Sequence, residues 1–159
     1  MQEILDILEK NCNTKNEEIA TMLNISKDEV KKNIKKLEKD NVILGYKALI
    51  NWESTGKETV NAIIEVKVTP QRGQGFDSVA DRIYRYPEVQ ACYLMSGGYD
   101  LLVVVEGKTM KEVAMFVAQK LAPQDTVLST ATHFVLKKYK DKGVVFDKKA
   151  KDDREAIVL

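Results

Sequence analysis

The run Ser26-Lys27-Asp28-Glu29-Val30-Lys31-Lys32-Asn33-Ile34-Lys35-Lys36-Leu37-Glu38, with Asn41-Val42-Ile43-Leu44-Gly45-Tyr46 close behind it, decides the fold. Ser26 and Glu29 stand at capping-box spacing: the hydroxyl accepts from the Glu29 amide while the carboxylate reaches back, so a helix opens there. Val30, Ile34 and Leu37 recur at helical spacing and form its buried side. The helix is expected to run to about Asp40, because Asn41 tolerates the left-handed backbone that stops a helix. Residues 42–50 then read as β structure with a bend at Gly45, the shape of a wing.

Upstream, Thr14 and Glu17 predict a second capping box, opening a short helix whose buried face is Ile19, Ala20, Met22 and Leu23. Asn24 and Ile25 leave only a tight turn before Ser26. Ile4, Leu5, Ile7 and Leu8 share one face of a first helix that Asn11-Cys12-Asn13 ends. Two capped helices separated by so short a turn, with an apolar residue in the turn, have the spacing of a helix-turn-helix. Residues 1–50 are therefore expected to form a winged helix-turn-helix, and the polar residues 51–59, with Gly56, a linker.

Downstream, Ala62, Ile64, Val66 and Val68 alternate with other residues from 60 to 69 and predict a strand. Pro70 and two glycines end it. Phe76, Val79, Ala80, Ile83 and Tyr84 repeat at helical spacing up to Pro87, and residues 89–95 form a short apolar strand. Ser96-Gly97-Gly98-Tyr99 reads as a hairpin turn in which both glycines supply positive φ, and residues 100–106 return as a strand. Thr109 and Glu112 cap a helix through Leu121, and residues 127–139 form a last long strand. The order βαββαβ over residues 60–146 predicts a ferredoxin-like domain, so the fold class is α+β. Ile63, Cys92 and Leu94 or their alternating partners, with Leu102 and Val104, leave apolar side chains on the sheet face away from the helices. Such a face usually meets another subunit, and at least a dimer is expected.

Bulk composition narrows the partners little. The 25 basic and 24 acidic residues nearly cancel, so any electropositive face must come from local clustering. Cys12 and Cys92 have neither CxxC spacing nor a secreted-type framework and read as reduced thiols. The opening residues carry Glu3, Asp6 and Glu9, unlike a signal peptide, and no run approaches the roughly 20 apolar residues that span a bilayer. A cytoplasmic location without membrane association is expected.

On these residues the chain resembles the Lrp/AsnC (leucine-responsive, feast/famine) transcription regulators over roughly residues 1–146. Two stretches carry the likeness: residues 25–38 with Val42-Ile43-Leu44-Gly45-Tyr46, similar to the family's recognition helix and wing, and the Gly97 to Asp100 turn, similar to its sensor-domain signature. The resemblance implies sheet-to-sheet dimers, often assembled into larger closed rings, and control by an amino acid or similar metabolite bound near the central hairpin. Departures are Asn33 and Asn41, where the family often has a basic residue and a glycine, the late N-terminus, and the tail 147–159.

The expected double-stranded DNA contacts are Ser26, Lys27, Asp28, Lys31, Lys32, Asn33, Lys35, Lys36 and the wing's Lys47. Lys27, Lys31 and Lys35 follow one i, i+4 row, with Lys32, Lys36 and Lys39 beside it. Lysine is a flexible point charge suited to phosphates, so base reading is left to Asn33 and the first-turn residues. Against this, Glu29, Glu38 and Asp40 fit a plain mixed-charge solvated face; the position as second helix of a helix-turn-helix favours the DNA reading. The expected effector site is Met95, Ser96, Gly97, Gly98, Tyr99 and Asp100: glycine amides can hold a carboxylate and Asp100 an ammonium, unless Asp100 simply bonds local amides. His133, the single histidine, lacks partners for a catalytic or metal site, and no cofactor is expected. Arg72-Gly73-Gln74-Gly75 lacks the context of a phosphate loop. A rival reading, a tetrapyrrole (siroheme-type) decarboxylase-like enzyme on the same layout, would want several His and Arg side chains, and one His with four scattered arginines argues against it.

Overall fold

The computed structural model describes residues 1–69 and 75–146, and the chain divides into two compact units, 1–50 and 51–159. The glycine loop at 72–74 and the tail 147–159 lie outside the described residues.

Unit one holds α1 (Gln2–Lys10), α2 (Asn16–Leu23) and α3 (Lys27–Lys39). Ile4, Leu8, Ile19, Ala20 and Val30 are buried together, with Ile7, Leu23, Ile25, Ile34 and Ile43 packed around them. Ser26 caps α3 as the spacing predicts, its Oγ accepting from the Glu29 amide at 3.1 Å. Asn24 and Asn41, at φ +52 and +54, make the left-handed turns that end α2 and follow α3.

Three expectations fail here. Thr14 does not cap α2: its hydroxyl donates to the Asn11 carbonyl at 2.8 Å, closing the end of α1, and Lys15 takes the N-cap position without a side-chain bond. Met22 is 65% exposed, because α2 is short and turns only Ile19 and Ala20 fully inward. The wing is not β structure: residues 42–50 pair with no strand. An alternating run becomes a strand only when a neighbour takes its amides and carbonyls, and unit one contains no second run to do so. Val42, Leu44, Tyr46, Leu49 and Ile50 are accordingly exposed.

Unit two begins with a short 3-10 turn at Trp52–Thr55 and continues as β1 (Val60–Val68), α4 (Asp77–Tyr84), β2 (Val89–Leu94), β3 (Leu101–Gly107), α5 (Met110–Phe116) and β4 (Val127–Phe134). The sheet order is β2-β3-β1-β4 with antiparallel pairing throughout, which is the ferredoxin-like arrangement. Alternation sends Ala62, Ile64, Val66, Val68, Leu101, Val103 and Val105 to one face, where Val79 and Ile83 of α4 and Val113 and Phe116 of α5 bury them. Thr109 caps α5, and Glu112 reaches back to the Lys108 amide at 2.7 Å. The last turn loosens to a π-turn, Val117–Leu121. Tyr84, expected on the buried face of α4, is 53% exposed.

Two further corrections concern strands. The last strand stops at Phe134, and residues 140–145 fold into a separate small hairpin, β5 (Lys140–Asp141) with β6 (Val144–Val145). On β2 the register sets Cys92 opposite Val103 and packs it against the core, so Ala91 and Tyr93 lie on the open face with Ile63, Leu102 and Val104. Leu94 falls on the helix side of β2 yet is 60% exposed.

Candidate functional site

The lysines of α3 stand on its solvent side as the periodicity predicts: Lys27, Lys31, Lys32, Lys35, Lys36 and Lys39 are all exposed, while Val30 and Leu37 are buried. They are not equivalent. Lys27 pairs with Glu17 of α2, which lowers the Glu17 pKa and raises that of Lys27 through their hydrogen bond. Lys31, Lys32, Lys35, Lys36 and Lys39 have no acidic partner among the described residues. Glu38, which could have neutralised one of them, accepts instead from the Tyr46 hydroxyl at 3.0 Å. Burial, then that hydrogen bond, raises the Tyr46 pKa. This clasp ties the end of α3 to the segment behind it, and sequence spacing gives no sign of it.

The remaining expected contacts are weaker. The Ser26 oxygen is engaged in capping and Asp28 is an exposed anion in the first turn. At 3.6 residues per turn Asn33 falls at the margin of the buried stripe, and it is half-buried rather than outermost. Lys47 is exposed in the unpaired segment. Lys39 belongs with the free lysines, on the same outer row.

In the hairpin, Met95 and Asp100 close the loop through the Met95 amide and Asp100 carbonyl at 2.8 Å, leaving Ser96, Gly97 and Gly98 exposed at its tip and Tyr99 half-buried. Gly97 alone has a positive φ, +144, which L side chains rarely adopt; Gly98 does not, and a Cβ there would meet open space. Asp100 is not a free anion awaiting an ammonium. Its Oδ2 accepts from the Val68 amide of β1 at 2.9 Å, and its own amide donates to the Val66 carbonyl at 3.1 Å. The carboxylate extends the ladder where the β1–β4 register shifts, between Lys67 and Val68.

None of residues 95–100 lines a concavity that this unit holds elsewhere. That is a groove of ≈ 890 Å³ at the opposite end of the sheet, walled by residues 57–59 just before β1, the end of β3, α5 with its π-turn and the turn before β2. Glu88 there pairs with Lys120 of the π-turn, and this hydrogen bond holds the Glu88 carboxyl below its usual range. Its parts come from three separated stretches, 57–59, 87–90 and 105–120, so no local motif could announce it. His133 lies on the open sheet face with Nε2 3.4 Å from Glu65 Oε1. Among the described residues no group of His, Cys, Asp and Glu could hold a metal, and no helix is long and apolar enough to cross a membrane.

With the geometry in hand, comparison with known proteins is decisive. The winged helix-turn-helix DNA-binding model matches residues 2–43, and the Lrp/AsnC ligand binding domain model matches residues 61–145. The chain is 54% identical over 99% of its length to YugG, an HTH-type transcriptional regulator of Bacillus subtilis, covering 94% of that protein. It is 31% identical over 86% of its length to LrpA of Pyrococcus abyssi, also named an HTH-type transcriptional regulator, covering 94% of it. Among solved structures, E. coli AsnC superposes with a TM-score of 0.66 at 20% identity, over 86% of this chain and 89% of that one. A transcriptional regulator of Neisseria meningitidis, solved as its complex with L-Met, superposes with a TM-score of 0.71 at 25% identity, over 91% and 94%. These relatives are named as regulators, not enzymes. A helix-turn-helix with a lysine-faced second helix, followed by the matching ligand-binding domain, makes the chain a transcription regulator of the Lrp/AsnC family.

Proposed function

We propose that the protein is a sequence-specific regulator that binds double-stranded DNA as a homodimer or a larger closed assembly in the cytoplasm, with a small-molecule effector, an amino acid, tuning its assembly or DNA affinity. The observation that carries the DNA half is α3: a capped helix whose outer face holds Lys31, Lys32, Lys35, Lys36 and Lys39 with no acidic partner among the described residues. These lysines address phosphates, leaving Asn33 and the first turn nearest the base edges. The open sheet face, with Ile63, Leu102, Val104 and the exposed Tyr93, supports a second copy as its cover, since one two-fold axis lets the same patch meet itself.

For the effector, the hairpin tip supplies open backbone at Gly97 and Gly98, and the Neisseria regulator in complex with L-Met supports an amino acid as the ligand class. Because Asp100 already accepts from Val68, ligand recognition rests on the tip amides and Ser96 more than on that carboxylate. The effector acts only through unequal affinity for two arrangements of the assembly.

The test is a salt titration of binding to genomic fragments, including the protein's own promoter, for the wild type and a Lys31→Ala/Lys32→Ala/Lys35→Ala variant. The wild type is expected to select a few fragments, and the variant to lose affinity with a salt slope shallower by about 3 for each α3 that lies on the DNA, near 0.9 per phosphate contact. Equal, unselective binding by both proteins would remove α3 from the interface. Repeating the titration with L-Met and L-Leu then reads the effector.

A further inference from the structure

One titratable pair interrupts the apolar patch on the open face of the sheet. Register sets His133 of β4 opposite Ile63 of β1, and sets Glu65 of β1 between Ala131 of β4 and Leu102 of β3. His133 and Glu65 are therefore diagonal neighbours across two strands, with Nε2 3.4 Å from Oε1. Their direct cross-strand neighbours, Ile63, Leu102 and Ala131, are all apolar. In a single chain both side chains keep much of their water, at 58% and 39% exposed, and a contact between groups so well solvated contributes little. Covering the face removes that water, and the charge state of the pair then decides how well the face can be covered.

We infer that His133 and Glu65 form a proton-binding site that couples assembly to pH: the second copy that covers the sheet face closes over the pair, and the assembled form holds the imidazole protonated against the carboxylate. This rests on the sheet-face dimer proposed above. The sign follows from charge. Covering a carboxylate beside a neutral imidazole takes a net negative charge out of water, whereas covering it beside an imidazolium takes out a pair with no net charge. Assembly therefore favours the protonated histidine, each chain takes up a proton as the dimer forms, and the dimer weakens as pH rises through the histidine range. The other charged or titratable groups on this face stand farther off. β4 carries none besides His133. On β1, Lys67 lies opposite Ser129, four residues along β4 from His133, roughly 13 Å at about 3.3 Å per residue. Lys67 is only two residues from Glu65, yet it makes no ion pair among the described residues. On β3, Glu106 lies opposite Asn61, two strand spacings or roughly 10 Å from β4, and Tyr93 of β2 is three spacings away. The proton thus acts as an effector on the same assembly equilibrium, through a site separate from the hairpin.

The experiment is fluorescence-detected sedimentation of the full chain, labelled at the exposed Cys12, over a dilution series at about pH 6 and about pH 8, either side of the histidine range. The wild-type dissociation constant is expected to be about tenfold smaller, or more, at the lower pH, as uptake of one proton per chain allows. His133→Gln keeps a polar side chain but no titration, and should give the same constant at both pH values. Glu65→Gln removes the anion, leaves an imidazolium to be covered alone, and should abolish the dependence or invert it. Both side chains are exposed in the single chain, so neither variant removes a core contact, and circular dichroism checks the fold of each. Equal wild-type constants, a constant that falls as pH rises, or the wild-type dependence retained in either variant overturns the proton site and leaves the dimer standing. A folded wild type that stays monomeric at both pH values overturns the sheet-face dimer itself, and the proton site with it.

Discussion

At Asp100 a single carboxylate serves as a piece of backbone: it accepts from Val68 where the strand ladder slips. Asp100→Ala removes the acceptor and leaves a half-buried amide unpaired, so urea denaturation should show a loss of about 1–3 kcal/mol. The two glycines beside it separate fold from function. Gly97→Ala forces a side chain into a backbone region it avoids, at about 1–3 kcal/mol, whereas Gly98→Ala places its methyl in open space and should leave the midpoint unchanged. If Gly98→Ala alters effector response without altering stability, the tip backbone is the contact. The Glu17–Lys27 pair is fully exposed, and its sign is set by the lowered Glu17 pKa: its stabilisation is present above the ordinary carboxylate range and lost as pH falls through the lowered value. Melts between pH 6 and pH 2, taken as about the limits of carboxylate titration, should show this component, and it should vanish in Lys27→Ala.

Among the elements, α3 has the plainest dependence on sequence. Its cap, buried stripe and left-handed stop were all legible, because each is decided within four residues of chain. Ser26→Ala should cost about 1 kcal/mol in the stability of unit one, while Thr14→Ala should cost less than Ser26→Ala, since Thr14 makes a turn bond to Asn11 and caps nothing. A chemical melt of the two variants side by side checks the ranking. The wing shows the opposite case. Its alternation of Val42, Leu44 and Tyr46 is that of a strand, yet the partner that would make it one is absent from unit one. What residue pattern supplies is a face, and pairing is a property of two segments.

For the whole molecule the open sheet face is the largest consequence of the fold. Ile63, Leu102 and Val104 are only half-buried in one chain, and Tyr93 is exposed, so the expected state in solution is at least a dimer. Val104→Lys places a charge in the middle of that face. Sedimentation equilibrium should move from dimer or larger for the wild type toward monomer for the variant, while the circular dichroism of the sheet is retained; an unchanged mass would put the interface elsewhere. His133 and Glu65 share this face, and the exposed histidine stands with Nε2 3.4 Å from the Glu65 carboxylate.

The three helices of unit one, the βαββαβ order of unit two and the lysine face of α3 followed from the sequence, because helical and strand periodicity, caps and stops are local signals read over a few residues. Three things came only with tertiary structure. The parity of β2, which turned Cys92 inward and Ala91 and Tyr93 outward, depends on its register with β3, and a one-residue slip exchanges the faces. The role of Asp100 depends on Val68, a residue 32 positions away that the sheet brings beside it. The groove between α5 and the strand ends is built from three distant stretches, 57–59, 87–90 and 105–120, so it exists only once the chain has folded.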